Sequence, residues 1–316
     1  MHTLAIDIGG TKVSVARIDF LEDSPHVVEV LSEKTQDLCQ LNATPTAGDI
    51  VDWVNQAAEQ LTRTHGDVGA IGVGFGGQFD SQQQICIKSL HVEGWENFPL
   101  AELFPPQSRL SAVPIVGRND AKVAAVAEAT ANMQSGTLRR SAEFFAYVTV
   151  STGIGAAFAV LPPQGGAAVE VWDGENSLAG EFGHLQVPRP AQIYSDQLCA
   201  CGGTACLERL CSGLWIQQRT GLSAHAYLSD EANFNNWIAD FTAGIWSAIT
   251  VLDPSVICIG GGMSAMGDRL TNALTQSLGR YCSLWGRKPP EVTLAHWGGR
   301  SVLLGAALLA REAGTT

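Results

Sequence analysis

The sequence predicts an α/β protein made of two halves of similar build. One observation is a pattern of strand, glycine turn and strand at residues 3–20, which returns at residues 144–161. A second is the alternation of strand and helix patterns along the rest of the chain, which is typical of the α/β class. A third is the presence of further apolar strand patterns that end in glycine clusters, at residues 70–77 and 256–262. A length of 316 residues also favours two domains.

The first half opens with a hairpin. Its strands are TLAIDI and VSVARIDF, joined by GGTK, because alternating β-branched and apolar residues flank a Gly-Gly pair. A helix is predicted in GDIVDWVNQAAEQL, where Ile50, Val54 and Leu61 recur at helical spacing and Asp49 is the expected N-cap. A buried strand, AIGVGF, comes next, and the loop-like stretch PPQSRLSAVP later leads into the strand VPIVG. We place the domain boundary after that strand, near Arg118.

The second half repeats the hairpin as FFAYVTV, STGIG and AAFAVL. A long helix follows, in which apolar residues from Phe234 to Leu252 step by three or four until Asp253-Pro254 ends it. The glycines after VICI are predicted to open another helix, MSAMGDRLTNALTQSL, and the apolar C-terminal helix SVLLGAALLAREAG is expected to return to the first domain. The predicted domains are residues 1–118 with about 302–316, and residues 119–301.

Composition excludes several classes of partner. The net charge is −12 and there is no block rich in lysine and arginine, which argues against nucleic acid as a partner. No apolar run approaches the roughly 18 residues of a membrane span. The start MHTLAIDIGG lacks the charged region, apolar region and cleavage site of a signal peptide. We therefore expect a cytoplasmic protein with no membrane partner.

The turn DIGGTK has the chemistry of a phosphate site. Consecutive glycine amides can hold a phosphate because no side chain stands in the way. Asp7 could hold Mg²⁺ through its water shell, and Thr11 and Lys12 could contact phosphate oxygens. The alternative is an ordinary tight hairpin. The turn matches neither the Walker A sequence nor the dinucleotide motif G-x-G-x-x-G, so NAD binding is not expected.

Asn119 and Asp120 stand where a helix is predicted to begin. Capping is the simpler interpretation, because Asn and Asp are common N-caps. The alternative is catalytic: the helix dipole keeps such a carboxylate ionised, so that Asp120 could act as a weak base toward a sugar hydroxyl. Phosphoryl transfer asks little of a base, since positioning and charge stabilisation contribute most of the rate.

Six motifs, in order along essentially the whole chain, resemble those of the ROK family (repressor, open reading frame, kinase) of the actin/hexokinase-like ATPase superfamily. DIGGTK at 7–12 and STGIG at 151–155 resemble the two phosphate motifs of the family. The other segments are the sugar loop GVGFGGQFD at 72–80, the catalytic pair in RNDAK at 118–122, the sugar-and-zinc segment GEFGH at 180–184 with CACGGTACLE at 199–208, and the adenosine-side motif DPSVICIGGG at 253–262.

The resemblance implies a two-lobed actin-like ATPase (ribonuclease H-like) fold, with a duplicated βββαβα-type core and a cleft between the lobes. It implies transfer of the γ-phosphoryl group of ATP to the 6-hydroxyl of glucose or a related hexose. The alternative is a kinase of N-acetylmannosamine or N-acetylglucosamine. The third interpretation is a non-catalytic sugar sensor. It is disfavoured because repressors of the family carry an N-terminal helix-turn-helix domain, and the hairpin here starts at Thr3.

The resemblance also implies residue roles. Asp120 would be the catalytic base, and the cofactors would be ATP, Mg²⁺ and a structural Zn²⁺. Relatives in the family are often dimers or tetramers, so a homodimer or homotetramer is expected. The sugar would be bound by Gly77, Asn119, Asp120, Glu181, His184 and Glu208. The magnesium, phosphates and nucleotide would be bound by Asp7, Gly10, Thr11, Lys12, Thr152, Gly153, Gly261 and Gly262.

Half of the eight cysteines lie between residues 199 and 211. A C-x-x-C redox spacing is absent, and a Cys199–Cys201 disulfide would be strained and misplaced in a reducing compartment. Three thiolates with one imidazole form a closed zinc site, and the resemblance supplies His184 as the fourth ligand beside Cys199, Cys201 and Cys206. The alternative is that these cysteines are small buried hydrophobes. Cys211 is assigned to the core.

Two segments depart from the family pattern. Gly76 and Gln78 stand where relatives usually have prolines in the sugar loop, which makes the sugar contacts of that loop less defined. The segment from 185 to 198 is longer than expected and carries extra prolines. We expect it to contribute to specificity or to an oligomer contact.

Overall fold

The computed structural model describes residues 1–22, 24–39, 44–89, 91–138, 144–161, 169–187, 198–199 and 201–314. The chain divides into two compact units, each with its own buried apolar core. Unit 1 contains Met1–Ala127, Asp173–Leu178 and Gly299–Thr316, and unit 2 contains Glu128–Trp172 and Ala179–Gly298.

Unit 1 is built on a five-stranded sheet in the order β3-β2-β1-β4-β8. The first three strands are antiparallel neighbours, whereas β1, β4 and β8 run parallel. Parallel strands end at the same edge of a sheet, which is where ligands bind in open α/β folds. The strands are β1 His2–Ile8, β2 Lys12–Leu21, β3 Ser24–Lys34, β4 Ala70–Phe75 and β8 Ile115–Asn119, with a small separate sheet of β5 Gln78–Asp80, β6 Ile85–Lys88 and β7 Phe98–Pro99.

Two helices, α1 Ala47–His65 and α8 Ser301–Ala313, lie in unit 1. The N-cap of α1 is Thr46, and Asp49 is the third residue of a capping box, in which it accepts the Thr46 amide at 2.9 Å. The predicted N-cap, Asp49, was therefore wrong by three positions. Helix α8 packs against β1 and β4, and a side chain at Gly72 would collide with the carbonyl of Ala306.

Unit 2 carries a second five-stranded sheet, in the order β11-β10-β9-β12-β13. Its first pair is antiparallel, and β9, β12 and β13 run parallel. The strands are β9 Phe144–Val150, β10 Ile154–Val160, β11 Glu170–Val171, β12 Val256–Gly260 and β13 Glu291–Leu294. The helices are α3 Leu207–Cys211, α4 Gly213–Thr220, α5 Ala224–Leu228, α6 Glu231–Leu252 and α7 Asp268–Leu284.

The two sheets have the same strand order and the same directions, which confirms the predicted α/β class and the duplicated core. One predicted helix begins later than expected. After the glycines of β12 there is a short 3₁₀ turn, Gly262–Met266, and α7 starts at Asp268. The break lies at Gly267, whose φ of 58° is left-handed and leaves the helical path.

The division into units differs from the predicted boundary at Arg118. Helix α2, Asp120–Gln134, follows β8 directly, so its first two turns belong to unit 1 and its later residues to unit 2. The segment Asp173–Leu178 also belongs to unit 1, although it follows β11 in the sequence. Among the residues that the structure describes, no helix is long and apolar enough to span a membrane.

Candidate functional site

The first hairpin, the turn Gly9–Lys12 between β1 and β2, is held by its own backbone. The Gly9 amide donates to the Lys12 carbonyl at 3.0 Å, and Thr35 fastens the turn from outside through a hydroxyl bond to the Gly9 carbonyl at 3.0 Å. A Cβ atom at Gly10 would lie 2.7 Å from the side chain of His91. Glycine is therefore required at that position.

Asp7 stands near the end of β1, and its pKa is raised to about 7. Burial of the carboxylate is the largest cause of the raised pKa, although the residue as a whole is partly exposed. The negative charge of Asp120 adds to the shift and Lys12 opposes it. A divalent cation held through water would offset this charge, so the pair of carboxylates fits the predicted Mg²⁺.

Asn119 caps α2, and Asp120 stands at the start of that helix. The side-chain Oδ1 of Asn119 accepts the backbone amides of Ala121 at 3.1 Å and Lys122 at 3.3 Å, which is the capping role. The side-chain Nδ2 of Asn119 donates to the backbone carbonyl of Gly77 at 3.0 Å, which ties the pair to the predicted sugar loop. Asp120 is the first residue of α2, so its carboxylate lies beside the exposed amides of a helix N-terminus.

His91 is a residue of this region that the sequence motifs did not reveal. Its side chain fills the space beside Gly10, and the preceding Ser89 lies against Gly77. His91 thus contacts the first hairpin, and Ser89 contacts the predicted sugar loop. The local sequence, HVEG, carries no motif, and only packing against glycines identifies it.

The second hairpin is the turn Ser151–Gly153 between β9 and β10. Its Ser151 amide donates to the Gly153 carbonyl at 2.9 Å. A carboxylate oxygen of Glu208 accepts the Ile154 amide at 3.0 Å and would lie 2.8 Å from a Cβ at Gly153. The start of α4 adds bonds from Gly213 to the Ser151 carbonyl at 2.7 Å and from Leu214 to the Thr152 carbonyl at 3.1 Å.

A cavity of about 440 Å³ opens beside the second hairpin. That volume lies within the range of small-molecule sites. Thr152 and Gly262 line it, whereas Gly153 and Gly261 do not. Gly261 instead has a left-handed φ of 78° that brings it against the Val150 carbonyl. Sequence reasoning did not find the α4, α5 and α7 walls, which are Leu214, Gln217, His225, Leu228 and Arg269.

The four predicted metal ligands form one cluster. Their ligand atoms, from His184, Cys199, Cys201 and Cys206, all lie within 4.8 Å of one another. The His184 Nδ1 is 3.5 Å from the Cys199 sulfur, and the Cys201 and Cys206 sulfurs are 3.2 Å apart. These separations suit four donors around one small cation.

The thiols of the cluster have shifted pKa values. Burial is the main cause that raises the pKa of the Cys206 thiol to about 12, and the neighbouring Cys201 adds to it. A metal deprotonates its thiol ligands, so binding would replace crowded thiols with paired thiolates. Cys211 lies apart from the ligand group, buried beside Trp237, whose indole donates to the Cys211 carbonyl at 2.8 Å.

Glu181 and His184 stand together at the edge of this cluster. The His184 Nε2 is 3.8 Å from the Glu181 carboxylate, while the other ring nitrogen faces Cys199. Metal-binding imidazoles commonly direct their second nitrogen toward a carboxylate or another oxygen. Residues 188–197 of the segment with extra prolines lie outside the described residues.

The predicted site residues thus fall into two groups. Unit 1 holds Asp7, Gly10, Thr11, Lys12, Gly77, Asn119 and Asp120, at or near the ends of β1, β4 and β8. Unit 2 holds Thr152, Gly153, Glu181, Glu208, Gly261, Gly262 and the four residues of the metal cluster.

A duplicated five-stranded sheet, with a glycine hairpin in each copy, defines the actin-like ATPase class. The model of the ROK family matches residues 3–313, and the chain belongs to that family. This matches the resemblance read from the motifs.

Individual proteins match over almost their full lengths. An N-acetylmannosamine kinase of Vibrio cholerae is 27% identical, with 99% of this chain and 100% of that protein covered. An N-acetyl-D-glucosamine kinase of Haemophilus influenzae is 30% identical, covering 96% and 97%. The structure of a ROK family glucokinase from Streptomyces griseus, in complex with glucose and AMPPNP, superimposes with a TM-score of 0.74 at 25% identity, covering 99% and 100%.

Proposed function

We propose that the protein is an ATP-dependent hexose kinase that transfers the γ-phosphoryl group to the sugar 6-hydroxyl. The observation that carries this proposal is the geometry around Asp120. Its carboxylate stands at the start of α2, interacts with Asp7, and is joined through Asn119 to the Gly77 loop. A base, a phosphate hairpin and a glycine loop for a polyol are thus adjacent within unit 1. The full-length relatives that are sugar kinases support the same conclusion.

Asp120 would accept the proton of the 6-hydroxyl as the new phosphate ester forms. Asp120 is the first residue of α2, and the amides of a helix N-terminus stabilise a nearby negative charge. Asn119 would orient the sugar, because its amide also fixes the loop at Gly77. Mg²⁺, when bound near Asp7, would supply positive charge to the phosphate oxygens. The first hairpin would present the Gly10 amide and Lys12 to the same phosphates, since the Gly9 amide is already bonded within the turn.

The cavity of unit 2 is the proposed nucleoside site. Its apolar wall includes Leu214 and Leu228, and its polar groups include Gln217 and His225. Such a mixture suits a purine and its ribose. Arg269 borders the cavity but is committed elsewhere, since it donates to the Leu228 carbonyl at 2.9 Å and pairs with Glu231. The second hairpin would hold the phosphate end of the nucleotide.

We further propose that the metal of the Cys/His cluster is Zn²⁺ in a structural role. Three thiolates and one imidazole use all four positions of a tetrahedral ion, which leaves no position for a reacting water. The cluster would then fix His184 and Glu208 as sugar ligands, because His184 is a cluster member and Glu208 follows Cys206 by two residues. Each would offer its polar atoms to sugar hydroxyls.

Glucose is the proposed acceptor, and an N-acetylhexosamine is the alternative. The glucokinase complex with glucose supports the first. The kinases of N-acetylmannosamine and N-acetyl-D-glucosamine support the second. The two differ at C2 of the sugar, away from the transferred group, so the same catalytic residues serve both.

A coupled ADP-release assay with glucose, mannose, N-acetylmannosamine and N-acetylglucosamine tests the proposal. We expect turnover with glucose and loss of that turnover in the Asp120→Asn variant. The exposed pair of Arg109 and Asp67 offers a control, Asp67→Asn, which should leave turnover unchanged. Higher kcat/KM for an N-acetylhexosamine would select the alternative. Sugar binding without turnover on any sugar would overturn the kinase proposal.

A further inference from the structure

A charged cluster brackets the pair Asn119-Asp120 on both sides. Arg118 precedes the pair and Lys122 follows it at the second position, and both side chains contact the carboxylate of Asp173. The Lys122 ammonium is 2.8 Å from one oxygen of Asp173, while Arg118 and the Ser81 hydroxyl, at 2.7 Å, share the other. No sequence motif pointed to Asp173.

The Lys122 and Asp173 side chains of this cluster are largely buried. The side chain of Lys122 is 5% exposed and that of Asp173 15%. A buried ammonium without a counter-charge is costly, so Lys122 depends on this carboxylate. Burial on its own would raise the pKa of Asp173, but the Lys122 hydrogen bond, the Arg118 charge and the Ser81 hydroxyl together lower it. Asp173 is therefore ionised in the folded protein at neutral pH.

The contacts extend along the chain on both sides of Asp173. Lys122 also donates to the Ser177 carbonyl at 2.8 Å, and the Ser81 amide contacts the Ser177 hydroxyl at 3.4 Å. The segment Asp173–Leu178 is thus fastened at two points to the junction between β8 and α2 and to the turn after β5. Its membership of unit 1 is explained by these bonds.

We propose that Asp173 is a positioning residue for the pair Asn119-Asp120. It contacts neither member of the pair through the bonds described above. It holds Arg118 at the end of β8 and Lys122 in the first turn of α2, and so fixes the backbone that carries Asp120. Residues two apart on a helix do not face each other, so Lys122 is better placed to bind Asp173 than to pair with Asp120.

The inference rests on the proposed function only for its kinetic consequence. If Asp120 is the base, loosening the junction between β8 and α2 would displace its carboxylate from the sugar hydroxyl. Small displacements of catalytic groups lower rates by on the order of 10- to 100-fold. Binding of ATP would be spared, because the nucleoside cavity is lined by residues of unit 2.

The first test is independent of activity. Amide hydrogen exchange of the peptide covering residues 118–124 would be compared in the wild type, Asp173→Asn and Asp67→Asn. We expect exchange at Ala121 and Lys122 to be at least about tenfold faster in Asp173→Asn, because their bonds to Asn119 lose their fixed geometry. The Asp67→Asn control should match the wild type. Unchanged exchange in Asp173→Asn would overturn the positioning role.

The second test is kinetic. For Asp173→Asn we expect kcat to fall 10- to 100-fold with the KM for ATP within about twofold of the wild type. Asp173→Glu should recover part of the loss, since it restores the charge. Equal losses in kcat for the glutamate and asparagine variants, with normal exchange in both, would contradict the proposal. If the wild type turns over no hexose, the proposed function fails while the exchange result still decides the role of Asp173.

Asp173→Asn leaves a buried ammonium and could fail to fold. The double variant Lys122→Met with Asp173→Leu replaces the ion pair by apolar side chains of similar size, which usually preserves stability. The variant lacks the buried ion pair, and we expect it to fold because Arg118, whose side chain is 28% exposed, keeps contact with solvent. We expect it to show fast exchange at Ala121 and a low kcat. Wild-type exchange and kcat in this folded double variant would show that the cluster does not position the pair.

Discussion

The two glycine hairpins occupy the same place in their sheets but have different surroundings. In the first, Ile8 and Val13 are the last paired residues, and Asp7 comes just before them. In the second, Val150 and Ile154 are the last pair, and Thr149 stands where Asp7 stands in the first. The first hairpin therefore carries an acid beside a second acid, Asp120, whereas the second carries a hydroxyl at that position and has a cavity of about 440 Å³ beside its turn, lined by Ser151 and Thr152.

This difference shows how two copies of one fold can carry different chemical groups. The arrangement of strands is shared, because both turns close antiparallel strands next to a parallel neighbour, although the first turn has four residues and the second three. The chemistry comes from single positions around the turn and from the helices that follow. On the proposed function, unit 1 supplies the reacting carboxylate and unit 2 supplies the nucleoside cavity. The following changes test that division, beginning with the largest expected effect.

Asp120→Asn should have the largest effect. Loss of the base should lower kcat by about 10²- to 10⁴-fold, while hexose affinity changes little because Asn119 and the Gly77 loop remain. Steady-state ADP release and calorimetric hexose binding would measure the two quantities. Replacing Thr149 by valine, at the matching position of the second hairpin, should change kcat far less. A near-normal kcat in Asp120→Asn would remove the assigned asymmetry.

Loss of a metal ligand should come next and should affect the second hairpin. Cys201→Ser removes a ligand from the cluster, which is joined to that hairpin through Glu208, and should reduce zinc affinity by more than the roughly 10- to 100-fold that loss of an outer hydrogen-bond partner costs. Nucleotide affinity should fall with it, and metal content by elemental analysis should correlate with the loss. Cys39→Ser is a suitable control, since Cys39 is not among the clustered ligands. Normal nucleotide affinity in a metal-free but folded protein would separate the cluster from the hairpin.

A methyl group added to a glycine should lower stability more in the first turn than in the second. Gly10→Ala meets the Cβ of His91, which is attached to backbone, so the segment must move and stability should fall by about 1–3 kcal/mol. Gly153→Ala meets the end of the flexible Glu208 side chain, so stability should fall less while the bond to Ile154 is lost. Denaturant unfolding would give the ranking. A larger loss of stability in Gly153→Ala would reverse our comparison.

The smallest expected effect is on the pH dependence of stability, and it concerns Asp7 beside the first hairpin. The pKa of Asp7 is raised from 3.8 to about 7, so the folded state binds more protons than the unfolded state between these values. The contribution of Asp7 to the free energy of unfolding therefore falls as the pH rises through this window. In metal-free buffer, Asp7→Asn should be more stable than the wild type by roughly 1 kcal/mol at pH 8, because solvent contact reduces the full effect. At pH 4 the two should unfold at similar temperatures, and a constant difference across the window would contradict the cause.

The sequence was sufficient for features that depend on local pattern. Both hairpins follow from motifs of a few residues, and the resemblance to the family supplied the grouping of His184 with three cysteines. The glycine requirement at Gly10 also agrees with the predicted tight turn, although the reason lies in His91.

Features that depend on distant segments could not be predicted. Asp173 lies 55 residues after Arg118, and nothing in its local pattern signals a return to unit 1. The walls of the cavity come from α4, α5 and the start of α7, and the apolar residues of α4 and α5 look like core residues in the sequence. The cap of α1 was misassigned because both Thr46 and Asp49 are good capping residues, and only the reciprocal bonds of the capping box decide between them.

The connection from Cys206 through Glu208 to the second hairpin has a consequence for stoichiometry. On the proposed function, a preparation whose metal sites are partly filled is a mixture of two species with different nucleotide affinities. Titration with nucleotide would then give fewer high-affinity sites than polypeptide chains, in a ratio that follows the metal content. The fraction of competent protein would be set by metal supply during expression, without any change in sequence or amount of chain.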